Sequence, residues 1–277
     1  MGTRKYHPAV VLTAFLLACS VSAADSFAAP EFTARWQRDE QIVPNFWGPL
    51  ANATQGRVEP YLRDKRCGNI VPCDPSPASA QRLVQYFDKG RMELNGEVPG
   101  QGTVVTSGLL VREMITGALQ TGETRTEQRA PAAVPVAGDM ENTFPLYRDL
   151  ASGPAVDTKT AKGQPVQLLL TPQGSGTTAD SVNDPLATIA TIDVQTGHGV
   201  PSAFDAFRTK VGLDVVGIAL TEPFWADVRV AGQSHRVLVQ AFERRVLTYT
   251  PSNPDAFKVE FGNVGIQYYA WRYGTGP

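Results

Sequence analysis

Residues 83–95 read LVQYFDKGRMELN and residues 238–250 read LVQAFERRVLTYT, two strings that align without a gap. Leu83, Val84, Gln85 and Phe87 recur as Leu238, Val239, Gln240 and Phe242, and the pair Asp88, Lys89 recurs as Glu243, Arg244. A unit that recurs within one chain marks a structural module used twice. In each copy, five residues of strand character precede a three-residue connection and five follow it, which reads as a β-hairpin. Asp88, Lys89 and Gly90 suit a type I turn closed by a bulge, with Gly90 in the left-handed region. Arg245 takes that position in the second copy, whose turn is expected to differ. Alternation in 246–250 puts Leu247 and Tyr249 on one face, and the PSNP of 251–254 ends the strand.

The likeness spreads outward from the hairpins. Glu59, Pro60 and Tyr61 precede the first copy; Glu222, Pro223, Phe224 and Trp225 precede the second. The spacing from Glu59 to Gln85 exceeds that from Glu222 to Gln240 by eight residues, and the excess falls where Cys67 and Cys73 stand. Downstream, VTSGLL at 105–110 answers VEFGNV at 259–264, and each string leads into a helix, at 110–117 and 264–273. Between the copies, 123–135 reads as a crossing loop and 144–150 as a short helix. Strands are expected at 166–171 and 187–194, with a loop at 174–178, followed by a helix at 202–210 capped by Ser202. The expected fold is α+β. Two related small lobes, 31–122 and 196–277, each carry a hairpin or meander followed by a C-terminal helix, and a central α/β insert spans 123–195.

Composition bounds the function. The 277 residues are 42% hydrophobic and 19% charged, which suits a globular chain, and 25 Gly with 21 Pro imply short elements joined by many turns. A formal net charge of −2 argues against a nucleic-acid partner held by bulk electrostatics. Residues 1–23 read as a signal peptide: Arg4 and Lys5 form a basic start, 9–18 an apolar run, and Val21, Ser22 and Ala23 a small-residue cleavage site. The same stretch supports a second reading, in which Leu16, Leu17, Ala18 and Cys19 form a lipobox and Cys19 carries a lipid. The expected location is therefore secreted or cell-surface, with membrane contact only through that N-terminal anchor. No later stretch reaches the run of about 18 apolar residues that spans a bilayer. In an oxidising compartment, Cys67 and Cys73 form an even pair around a turn-prone loop and read as a disulfide. With three histidines in the chain, no metal or other cofactor is expected.

The second copy resembles an LGFP-like repeat. Gly217, Thr221, Glu222 and Pro223 open it, Val239 to Arg244 form the Phe-containing hairpin, Leu247 to Pro251 the aromatic strand, and Trp271 closes it. The pattern is also similar to repeat modules of exported proteins in Chloroflexota-like bacteria. The first copy departs from it, with Asn95 and Gly96 in place of Thr250 and Pro251. The likeness covers less than half of the chain. It implies association with the cell envelope, where such modules accompany a separate hydrolase, and it makes Glu59, Phe87, Glu222, Phe242, Tyr249 and Trp271 repeat-structural positions.

Two classes of site follow. Trp47, Tyr61, Phe224 and Trp225 are candidate ligand-binding aromatics, since flat rings stack on sugars and would suit peptidoglycan or another surface polysaccharide; core packing is the competing reading. Glu59 and Glu222 invite comparison with the carboxylate pair of glycosidases, but equivalent places in two copies of one unit favour structural roles, with Arg91 and Arg244 as partners. His198 and His235 lack the surrounding motif of a hydrolytic triad. The expected function is a non-catalytic envelope protein binding glycan or a surface partner. The alternatives are a cell-wall polymer hydrolase, of glycosidase or amidase type and centred on Glu222 or His198, and a purely structural surface lipoprotein.

Overall fold

Helix α1 (Pro30–Glu40) turns Phe32, Arg35 and Asp39 inward at helical spacing. It leads to an antiparallel sheet of β1 (Arg57–Pro60), β2 (Gln81–Phe87), β3 (Gly90–Val98) and β4 (Gly102–Ser107), in that order. The computed structural model describes residues 27–49, 56–62, 81–98, 102–178 and 183–274. The expected signal peptide, Cys19 and the Cys67–Cys73 pair lie outside them.

Helix α2 (Leu110–Thr116) ends at Gly117, whose φ of 72° closes the helix in the left-handed region that glycine enters without strain. A small hairpin, β5 (Ala118–Gln120) and β6 (Thr126–Gln128), and a 3₁₀ turn at Tyr147–Leu150 follow. Then come α3 (Pro154–Asp157), β7 (Leu168–Thr171), β8 (Gly174–Thr177), β9 (Ile189–Ile192) and β10 (Gly199–Pro201). Helices α4 (Ser202–Val211) and α5 (Leu213–Val216) precede the second repeat: β11 (Phe224–Val230), β12 (Gln233–Ala241), β13 (Val246–Tyr249), β14 (Val259–Phe261) and α6 (Val264–Tyr273). The chain is an α+β fold.

The aligned strings hold the same register. Val84 pairs with Glu93 and Gln85 with Met92; their counterparts Val239 and Gln240 pair with Thr248 and Leu247. Gly108 N–H donates to Arg91 O, as Gly262 N–H donates to Val246 O. The upstream match does not survive. Arg82 lies opposite Glu59, whereas its counterpart Val237 lies opposite Ala226, so Glu59 and Glu222 are not equivalent positions. The central segment adds to the second sheet: β7 runs parallel to β11 and β8 forms the far edge, giving the order β14-β13-β12-β11-β7-β8. Residues 174–177, expected as loop, are that edge strand, and all four are exposed.

The copies interlock through their helices. Gly265 and Ile266 N–H both donate to Asp88 O, at 3.0 and 3.2 Å, and Arg112 N–H donates to Glu243 O at 3.1 Å. The free amides at each helix start are thus satisfied by the hairpin turn of the other copy. A Cβ on Gly265 would stand against Phe87 O, so the close approach requires glycine. Gly90 differs from expectation. It pairs with Phe87 across a two-residue turn without a positive φ, and its missing side chain makes room for the Arg245 guanidinium. Ser202 is the first residue of α4 rather than its cap, and its hydroxyl donates to Thr188 O.

Apolar side chains cover both faces of the six-stranded sheet. Phe224, Ala226, Val237 and Val239 join α2 and α6 in one core, with Val84 and Tyr86 from the first sheet. Trp225, Leu238, Leu247 and Tyr249 join Phe32, Trp47 and Phe204 in the other. The repeated glutamines tie strands internally: Gln240 Nε2 donates to Gly199 O and Thr221 O, and Gln85 Oε1 accepts from Ala28 N.

Candidate functional site

The four aromatics expected to meet a ligand are interior. Trp47 and Phe224 have no exposed surface, and Trp225 and Tyr61 keep 3% and 7%. Each is engaged. Trp47 Nε1 donates to Asp39 and its ring carries the Arg245 guanidinium; Trp225 Nε1 donates to Val166 O; the Arg82 guanidinium covers Tyr61 at 3.9 Å. Stacking on a sugar needs a solvent-facing ring, and none of these four has one. Their apolar area is spent on the cores, because the sheet is covered on both faces. Among the other repeat positions, Phe87, Phe242 and Tyr249 are buried, and Tyr249 Oη donates to Asp184. Trp271 is partly buried, with Nε1 donating to Ala130 O.

Glu59 sits in a buried ionic network. Its Oε1 accepts from Tyr86 Oη and Tyr273 Oη, and its Oε2 pairs with Arg91 and Arg272, each at 3.2 Å. Burial pushes this carboxyl up, but the two guanidiniums and two hydroxyls outweigh it and hold the pKa at about 2. Arg91 also pairs with Glu93, which pairs with Arg82 at 2.7 Å. Burial raises the Glu93 carboxyl too, yet Arg82 and Arg91 bring it below its ordinary value. Glu113, which accepts from Tyr268 Oη, goes the other way because burial dominates. The arrangement is a tie between β1, β2, β3, α2 and α6. A carboxylate whose oxygens are taken by four internal donors offers no free base to a substrate.

Glu222 and His198 come together, and both are enclosed, at 0% and 4% exposure. Glu222 accepts from Thr160 N at 2.7 Å and Gly199 N at 3.0 Å, and His198 Nδ1 stands 3.3 Å from its Oε2. Lys159 Nζ is 2.9 Å from the same Nδ1. One nitrogen cannot accept from Lys159 and donate to Glu222 together; the shorter contact assigns Nδ1 as acceptor. Glu222 then fixes two backbone segments. Of the two arginines expected as glutamate partners, Arg91 pairs with Glu59, whereas Arg244 donates to Ser107 O.

Open space includes two hollows, a polar and an apolar arm, on opposite sides of β14, with Lys89, Glu260 and Phe261 contributing to the lining of both. The polar arm, about 260 Å³, is floored by Val228 and Val237 and edged by Asp139, His235, Thr248, Thr250, Asn253 and Asn263. The apolar arm, about 430 Å³, lies between α4 and β14 and presents Val43, Ala203, Phe207, Phe257 and Val259. His235 belongs to the rim of the polar arm. Sequence reasoning missed both the cleft and the ionic network. The signal for the network was present: Arg91 and Glu93 stand where the second copy has Val246 and Thr248, charged residues in a strand whose counterpart is apolar and neutral.

Among the described residues, no group of three or more His, Cys, Asp or Glu could hold a metal ion, and no helix is long and apolar enough to cross a membrane. No protein-family model, curated protein or solved structure matches the chain.

Proposed function

We propose that this chain is a non-catalytic, exported cell-envelope protein in which the duplicated unit is the scaffold and the polar arm of the cleft binds a wall glycan or the polar face of another surface protein. The observation that carries this reading is the contrast between the enclosed acids and the open cleft. Glu59 and Glu222 are fully engaged inside the protein, while the polar arm offers hydroxyl, amide and imidazole groups over an apolar floor. Such a mixture suits a polyhydroxylated ligand. The export pattern of residues 1–23 supports an extracytoplasmic setting.

The test is retention of the purified protein on peptidoglycan sacculi. Retention reduced by His235→Ala and Thr250→Ala, with the circular dichroism spectrum unchanged, supports glycan binding; absence of retention overturns it. A hydrolase centred on His198 and Glu222 is the second reading; it rests on their proximity alone and requires the enclosure around both to open. That reading requires released sugars or muropeptides that Glu222→Gln abolishes.

A further inference from the structure

Strand β14 is an edge of the six-stranded sheet, paired with β13 on one side only. Its ladder is fixed at both ends. Thr250 N–H donates to Lys258 O and Gly262 N–H to Val246 O, each at 2.9 Å, with Thr248 opposite Glu260 between them. Hydrogen bonding in an antiparallel pair alternates along each strand. Positions 258, 260 and 262 therefore turn their main-chain groups to β13, while Val259 and Phe261 turn theirs outward. No described residue takes those outward groups. Phe261 is buried and Val259 half-buried, so Val259 is the open end of the edge.

The edge runs between hollows of different chemistry. Alternation puts Val259 and Phe261 on the α4 face, where Phe261 meets Phe207 edge-on at 5.1 Å between ring centroids. Ala203, Ala206 and Phe257 complete that apolar lining. Glu260 points to the other face, where Thr248 and Thr250 line the polar arm. An extended peptide laid along β14 suits both: its main chain exchanges hydrogen bonds with Val259, and its alternate side chains fall over the apolar hollow and the polar face. Charge narrows the choice. Lys89 already lies in the field of Glu260, Glu40 and Asp88, and Asp255 is taken by Lys258 at 2.8 Å. Lys210, on the lining of the apolar hollow, is exposed and forms no ion pair with a described residue, so it is complementary to a carboxylate on the incoming chain. We propose that β14 is a strand-addition site for an extended segment of a partner protein, with an apolar residue opposite Val259, a polar residue opposite Glu260 and an acidic residue at Lys210. This goes beyond the glycan reading, which rests on His235 and Thr250 in the polar arm.

The test is fluorescence anisotropy of the full chain with labelled synthetic peptides. The probes are acetyl-Asp-Leu-Thr-Leu-Thr-Leu-amide and the reverse sequence, because a strand adds in either direction. The controls are the same peptides N-methylated at each leucine, and a shuffled peptide in which the leucines are consecutive. One of the two probes binds about tenfold more tightly than its controls, the loss expected when main-chain hydrogen bonds are withheld. Val259→Pro, which withdraws an outward N–H and leaves the ladder to β13 intact, weakens binding. So does Phe257→Ala, at a position 50% exposed. Lys210→Glu weakens the aspartate-ended probe and strengthens its lysine-ended counterpart, a reversal that misfolding does not produce. Absence of binding by both probes at millimolar concentration, equal binding by the N-methylated peptides, or indifference of Lys210→Glu to the charge of the probe overturns the proposal. Sacculus retention of the parent protein separates the two readings. Retention without peptide binding removes this proposal alone, and peptide binding without retention supports it while removing the glycan reading.

Discussion

Replacing Glu59 by glutamine tests whether the buried ionic network holds the two copies together. The substitution keeps shape but withdraws the charge that faces Arg91 and Arg272, each 3.2 Å away. The drop in pKa from 4.5 to about 2 corresponds to roughly 3 kcal/mol at neutral pH. Because the folded-state value lies below the unfolded one, this stabilisation is present above pH 4.5 and disappears as pH falls through about 2. At pH 3 the same linkage leaves about half of that. Urea denaturation of both proteins at pH 7 and pH 3 is the assay. Glu59→Gln should lower the unfolding free energy by about 3 kcal/mol at pH 7, within the range for breaking a buried ion pair. The difference should fall by about half at pH 3 as the parent protonates. Glu93 contributes with the same sign in both proteins, while Glu113, raised by burial, favours lower pH in both. Equal unfolding midpoints at pH 7, or a difference that is the same at both pH values, would refute the reasoning.

Gly265→Ala should destabilise the fold by about 1–3 kcal/mol, as overpacking does, despite the gain of about 1 kcal/mol in helix propensity. The added methyl meets Phe87 O and Gly90, and a thermal melt showing stabilisation would contradict the interlock. Arg245→Met should raise stability by about 1 kcal/mol in urea, because it removes a buried guanidinium whose Nε and Nη2 lack partners. Its contact with Trp47 returns only part of that cost. Burial pushes this arginine below its ordinary value, the direction expected of a charge whose desolvation is incompletely offset.

The hairpins were legible because a gap-free repeat carries register with it: an offset that matches side chains also matches partners, as Val84–Glu93 and Val239–Thr248 show. The upstream strands were not. Glu59 and Pro60 end β1, whereas Glu222 and Pro223 come just before β11 begins, and proline is tolerated at both places. A two-residue coincidence therefore passed for an alignment. The GSGT of β8 read as loop because its glycines pack nothing, yet an edge strand needs backbone pairing and little else. The aromatics misled for a related reason. Phe224 and Trp225 point to opposite faces of β11, and only the tertiary fold shows that helices cover both.

The asymmetry between the copies explains where a site can arise. Each turn serves the fold through a main-chain carbonyl, Asp88 O for α6 and Glu243 O for α2, so the turn side chains are free to differ. Gly265 lets α6 bring two amides onto its carbonyl, whereas Val111, at the matching place in α2, holds that helix to one. That docking seats the first hairpin turn against α6 and beside β14. There Gly90 yields its space to Arg245, and Lys89 faces the cleft instead of a protein partner. Its counterpart Arg244 is committed to Ser107 O. A cleft charge in one copy and a structural tie in the other is what duplication permits once backbone atoms alone hold the pair together.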